Sequence, residues 1–94
     1  MKLPEEVTLN RAARTLTLRW SGTQTATLHC AALRAACPCA ACRHARLTAG
    51  TVHVPQDVTL LDVQPVGHYG VQLAFSDGHA RGIYPWPYLA QLGA

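Results

Sequence analysis

No stretch of this sequence approaches the roughly 18 consecutive apolar residues that a membrane-spanning helix needs, which argues against such a helix. The opening Met1-Lys2-Leu3-Pro4-Glu5-Glu6 lacks the apolar core of a secretory signal, so a cytoplasmic location is expected. Charge is sparse: 14% of residues are Asp, Glu, Lys or Arg, and the net +3 is spread along the chain. Without a basic stripe, a recognition helix or an aromatic stacking set, nucleic acid is a poor partner despite Arg34, Arg43, Arg46 and Arg81. Aromatics are only 6%, and Trp20, Phe75, Tyr84, Trp86 and Tyr88 are scattered as core fillers would be. Internal repeats, low-complexity segments and linkers are absent. Residues 1–94 therefore read as a single domain.

What is present begins with apolar residues at 49%, enough for a folded core. A domain this small buries only about 60–65% of the surface its unfolded chain exposes, and a metal cross-link is a common remedy for that thin margin. The four cysteines supply the means. Disulfides are a poor account of them, because Cys37 and Cys39 are too close for a strain-free bridge and a cytoplasm is reducing. All four lie between positions 30 and 42, so they would close only short loops.

Hydropathy patterning predicts an α+β fold, a small antiparallel β-sheet with one or two short helices and a metal-stapled loop. Val7-Thr8-Leu9 reads as a strand, and Arg14–Trp20 as another with Leu16, Leu18 and Trp20 on one face. A turn at Ser21-Gly22 leads to a third alternating run from Thr23 to Leu28. Cys30–Ala36 has helix formers and no β-branched residue, giving one or two helical turns that Pro38 ends. Cys37–Ala49 reads as a loop or short helix held by its cysteines. Val58–Val66 and Gly70–Phe75 form a hairpin around Gly67-His68-Tyr69. Asp77-Gly78 marks another turn, followed by a short strand at Ile83-Tyr84 and a helix opened by Pro85-Trp86-Pro87. The apolar C-terminal pieces suit either the core or a dimer face.

Cys37-Pro38-Cys39-Ala40-Ala41-Cys42 carries the chemistry. A Cys-X-Cys-X-X-Cys run places three sulfurs around one ion within a single tight turn, and zinc takes about four such ligands in a tetrahedron. Pro38 restricts the unfolded backbone, and Arg34, Arg43 and Arg46 would favour ionised thiols. For the fourth ligand, spacing leaves His44, His79 and Cys30 open. Cys30, beside Leu28 and Leu33, also suits plain core packing, and His29, His53 and His68 have no ligand context. Catalytic machinery is not recognisable: the only nucleophile candidates are cysteines that the metal would occupy, and Asp77 beside Gly78 suits a turn rather than acid–base work.

With these residues in view, the chain resembles the γ-butyrobetaine hydroxylase N-terminal-domain-like family. The resemblance rests on Leu18-Arg19-Trp20-Ser21-Gly22, on Leu33-Arg34 followed by the cysteine run, and on Val66-Gly67-His68-Tyr69-Gly70-Val71-Gln72-Leu73. It continues through Phe75-Ser76-Asp77-Gly78-His79, Gly82-Ile83-Tyr84 and Trp86-Pro87-Tyr88-Leu89. It implies a zinc site built from Cys37, Cys39, Cys42 and His79, which leaves His44 and Cys30 outside the ligand set. In the hydroxylases the catalytic site belongs to a large downstream domain that this sequence lacks. The family also holds stand-alone bacterial proteins and domains attached to iron–sulfur carrier ATPases. The resemblance thus implies a non-catalytic Zn²⁺ module that meets another protein or a second copy of itself, with no small-molecule substrate. The alternative is an iron–sulfur assembly or cluster-binding accessory protein, because three cysteines and a histidine also suit a two-iron cluster.

Overall fold

Alternation of apolar and polar residues sets the strands. The computed structural model describes residues 3–20 and 24–93. The turn expected at Ser21-Gly22, and Thr23 at the head of the third run, lie outside the described residues. Strands β1 (Glu6–Asn10), β2 (Thr15–Arg19) and β3 (Thr25–His29) form one antiparallel sheet in that order. Leu16 and Leu18 of β2 are fully buried, flanked by Ala26 and Leu28 of β3, while Thr17 and Thr27 meet on the other face. Period-two side-chain placement accounts for this division.

The chain then turns helical. Helix α1 (Cys30–Ala35) follows β3 directly, and α2 (Ala40–Ala49) follows after a four-residue break. The ten-residue α2 extends through the segment that the sequence left as loop or short helix. Its alanines and arginines favour a helix, and Gly50 closes it in the left-handed conformation at φ 81°. Its apolar face was illegible because Cys42 is the only buried residue on it.

A second antiparallel sheet follows, ordered β4 (Leu60–Val66), β5 (Gly70–Phe75) and β6 (Ile83–Pro85), before helix α3 (Trp86–Leu92). The α+β class with short antiparallel strands and short helices is as the sequence predicted. The strands divide between two three-stranded sheets, however, and three helices occur among the described residues. Alternation fixes which face of a strand is buried, and it carries no information on which strands share a sheet. Arg11, in the β1–β2 turn, donates to the Leu61 carbonyl of β4 at 2.9 Å and ties one sheet to the other.

One buried cluster serves both sheets, running from Leu16, Leu18 and Trp20 through Leu33, Cys37 and Cys42 to Leu60, Val71, Leu73 and Phe75. Tyr84, Trp86 and Leu89 belong to it, so the C-terminal pieces complete the core, while Ile83 and Pro87 stay exposed. The buried phenol of Tyr84 donates to the Leu33 carbonyl at 2.6 Å, and Tyr88 donates to Ala36 at the same distance. These bonds satisfy the two hydroxyls and fix the end of α1 against the second sheet.

Leu16, with no exposure, and Leu47, 86% exposed on α2, provide a contrast of burial at constant chemistry. Leu16→Ala is expected to cost about 2–5 kcal/mol and Leu47→Ala less than about 0.5 kcal/mol in urea unfolding. Equal costs would contradict this placement of the core.

Candidate metal centre

The local fold brings three sulfurs together before any long-range contact is considered. After α1 ends, Arg46 of α2 reaches back to the loop, donating to the Ala35 carbonyl at 2.9 Å and to the Cys37 carbonyl at 2.7 Å. Cys39 is the N-cap of α2, its sulfur accepting from the Cys42 backbone N–H at 3.4 Å. Cys42 sits in the first turn of that helix. A sulfur at a helix N-cap meets amide N–H groups that have no partner within the helix.

The fourth group arrives from the second sheet. Beyond β5, Asp77-Gly78 turns the chain with Gly78 at φ 86°, a conformation that favours glycine. The turn is pinned by the Phe75 N–H donating to the His79 carbonyl at 2.8 Å and the Gly78 N–H donating to Phe75 at 3.1 Å. His79 Nε2 then lies 3.1 Å from Cys37 Sγ and 3.5 Å from both Cys39 Sγ and Cys42 Sγ. All four atoms fall within 4.8 Å of one another, so this group could hold a metal ion. Around a tetrahedral ion with ordinary zinc–sulfur and zinc–nitrogen lengths, each sulfur-to-nitrogen edge is about 3.5 Å. The donor set and its spacing fit a single ion.

Electrostatics distinguish three of the donors. Burial pushes the Cys37 thiol up to about 11, which disfavours the thiolate there unless a cation compensates it. For Cys39 burial also opposes ionisation, but bonds from the Cys42 amide and the neighbouring thiols outweigh it and hold its pKa below the ordinary value. His79 is lowered, chiefly by desolvation and then by the Arg34 charge, which favours the neutral imidazole a metal requires. Asp77 loses solvation too, yet its bond from Arg34 and that from the His79 N–H keep it below the usual carboxylate range.

The structure therefore gathers Cys37, Cys39, Cys42 and His79, and leaves the other candidates apart. His44 is exposed on α2, because two residues beyond Cys42 is a rotation of about 200° around the helix axis. Cys30 is fully buried, with its sulfur 4.0 Å from Thr59 Oγ1. His29, His53 and His68 are exposed. Of the three arginines expected to favour the thiolates, Arg34 alone touches a sulfur, donating to Cys42 Sγ at 3.2 Å. Arg43 is exposed, and Arg46 binds carbonyls.

Two contributors were invisible in the sequence pattern. Asp77 does more than turn the chain, for its Oδ2 accepts from Arg34 Nε at 2.8 Å and its Oδ1 from the His79 N–H at 3.2 Å. Gly82, just before β6, leaves room for the centre: a Cβ there would lie 2.7 Å from Cys37 Sγ and 2.9 Å from Tyr84 Cε1. A glycine beside a short strand is the general signal of such a close approach.

A family model described as gamma-butyrobetaine hydroxylase-like, N-terminal, matches residues 7–90. Among solved structures, the chain is similar to a protein of unknown function of the DUF971 family from Acidithiobacillus ferrooxidans. The two are 38% identical with a TM-score of 0.78, over 97% of this chain and 92% of that one. Two proteins solved by NMR in solution are 31% and 33% identical with TM-scores of 0.78 and 0.74. Each covers 99% of this chain, which spans 70% and 73% of theirs. No curated protein matches the chain.

The space kept by Gly82 can be tested against Gly50, whose positive φ strains a side chain but whose surroundings hold nothing within 4 Å. Gly82→Ala is expected to destabilise by about 1–3 kcal/mol through overpacking against buried Cys37 and Tyr84. Gly50→Ala should cost about 1 kcal/mol through backbone strain alone. Thiol-reactivity mapping should show Cys37 newly accessible in the Gly82 variant only.

Proposed function

The chain belongs to the γ-butyrobetaine hydroxylase-like N-terminal family, and from that premise we propose that it is a non-catalytic zinc-binding module. It serves as an accessory or interaction domain for another protein or for a second copy of itself. The observation that carries this reading is the gathering of three cysteine sulfurs and one imidazole nitrogen within 4.8 Å. Thiolates with an imidazole are the ligand class of structural zinc, and four protein donors leave no open position for water or substrate. Cys37, Cys39, Cys42 and His79 would hold the ion, which supplies a cross-link between the start of α2 and the turn after β5.

An iron–sulfur role draws on the same residue types. A two-iron cluster divides its ligands between two metal atoms, whereas four donors all mutually close suit one ion. The spacing thus favours the mononuclear reading. A cross-linked module with no catalytic position acts by presenting surface, and the sparse, scattered charge favours protein over nucleic acid as the partner. A cytoplasmic setting suits free thiols at these positions.

Elemental analysis and native mass spectrometry of protein purified without chelators or a metal-affinity tag are expected to give one zinc per chain and no sulfide. Iron with sulfide would replace this reading by the cluster one, and absence of metal would return the cysteines to packing. His79→Ala and Cys39→Ser should each lose the metal and lower Tm by about 10 °C or more, the scale expected for losing 2–3 kcal/mol of linked binding energy. His44→Ala should do neither. A His79→Ala protein with wild-type Tm and metal content would sink the proposal.

A further inference from the structure

Arg34 is the one charged residue that is buried among the described residues, at 8% exposure. Arginine is seldom buried without anionic partners, because its charge loses solvation that only paired groups can replace. Helix α1 aims it into the gap between the cysteine loop and the His79 turn, where its partners are one of the four donors and the carboxylate that braces the turn carrying another. Its Nη1 donates to Cys42 Sγ at 3.2 Å, and its Nε donates to Asp77 Oδ2 at 2.8 Å. Asp77 in turn accepts the His79 backbone N–H at 3.2 Å, and the His79 ring returns to Cys42 Sγ at 3.5 Å. Cys42, Arg34, Asp77 and His79 therefore form a closed ring of contacts that joins two parts of the chain 37 residues apart.

We propose that Arg34 is a positioning residue of the metal centre, orienting the Cys42 sulfur directly and the His79 turn through Asp77, and damping electron donation from Cys42 to the ion. The inference rests on the metal-binding reading above. Two features assign this work to arginine in particular. A planar guanidinium offers several N–H donors in a fixed fork, so one group can hold a sulfur and a carboxylate together; an ammonium is a single point. A hydrogen bond to a thiolate draws density from the sulfur, so Cys42 becomes a weaker donor than a sulfur without such a bond. Groups that orient metal ligands from behind characteristically change affinity by about 10–100-fold when removed.

Cobalt(II) titration of the full chain tests this, because Co²⁺ reports both affinity and the sulfur-to-metal charge-transfer band. Arg34→Met is expected to raise the Co²⁺ Kd by about 10–100-fold and to move that band to longer wavelength, as Cys42 loses its N–H donor. Asp77→Asn should weaken binding but leave the band in place, since the Arg34 contact with Cys42 survives. Arg34→Lys should fall between wild type and Arg34→Met in both readouts. A purely structural role would lower the melting temperature without moving the band.

If wild type binds Co²⁺ but Arg34→Met binds within about twofold of it at an unchanged wavelength, the role of Arg34 is overturned and the metal reading stands. If wild type itself shows no charge-transfer band, the metal reading fails and takes this inference with it. Amide NMR spectra report whether each variant folds. Should Arg34→Met not fold, Arg34→Lys decides, and wild-type affinity and band position in that variant overturn the proposal.

Discussion

The approach of the His79 ring to three cysteine sulfurs is the constraint around which the rest of the molecule is arranged. Cys37 and His79 are 42 residues apart in sequence and 3.1 Å apart in space at their donor atoms. To bring them there, α1 must end before Cys37, α2 must be capped by Cys39, and β5 must end in a turn tight enough to face the loop. The hydrophobic core sets the coarse positions, with Leu33, Cys37, Leu73, Phe75 and Tyr84 all fully buried or nearly so around the junction. Apolar contact is non-directional, however, and does not aim an imidazole.

Aiming falls to a few polar groups. Arg46 holds the carbonyls of Ala35 at the end of α1 and of Cys37 in the loop, Tyr84 and Tyr88 hold those of Leu33 and Ala36, and Arg34 with Asp77 spans the gap to the His79 turn. The Arg34–Asp77 pair lies largely out of water, its side chains 10% and 16% exposed. Such a pair is more consequential to break than to keep, because removing either partner strands a poorly solvated charge. Buried side-chain nitrogen and oxygen atoms without a hydrogen-bond partner are absent among the described residues. In a domain with a thin stability margin, that full satisfaction leaves the polar junction tolerable.

The functional reading follows from what surrounds the four donors. Their donor atoms converge on one another, with Cys37 and Cys42 buried and Cys39 and His79 half-buried. A groove of about 380 Å³ lies elsewhere, lined by Leu3, Pro4, Val7, Val63, Pro65, Val71 and Trp86, and none of the four donors borders it. No helix among the described residues is long and apolar enough to cross a membrane. Four donors gathered from two separate segments suit a cross-link, and an ion held by all four would have its tetrahedral shell filled by protein.

Local chemistry was legible from residue order alone. The alternation in Thr15–Trp20 and Gly70–Phe75 reports burial because strand side chains change face at every residue. The Cys37–Cys42 spacing marks a loop that could hold a metal ion, because three sulfurs fit one ion within a turn. Family resemblance, rather than spacing, singled out His79 over His44 and Cys30. Tertiary structure decided the rest: the division of the strands between two sheets, the length of α2, the exposure of His44, and the places of Arg34, Asp77 and Gly82 around the sulfurs. Each of those depends on contacts between residues far apart in the chain. Short-range pattern encodes which face of an element is apolar; which distant element covers that face emerges only when the whole chain packs.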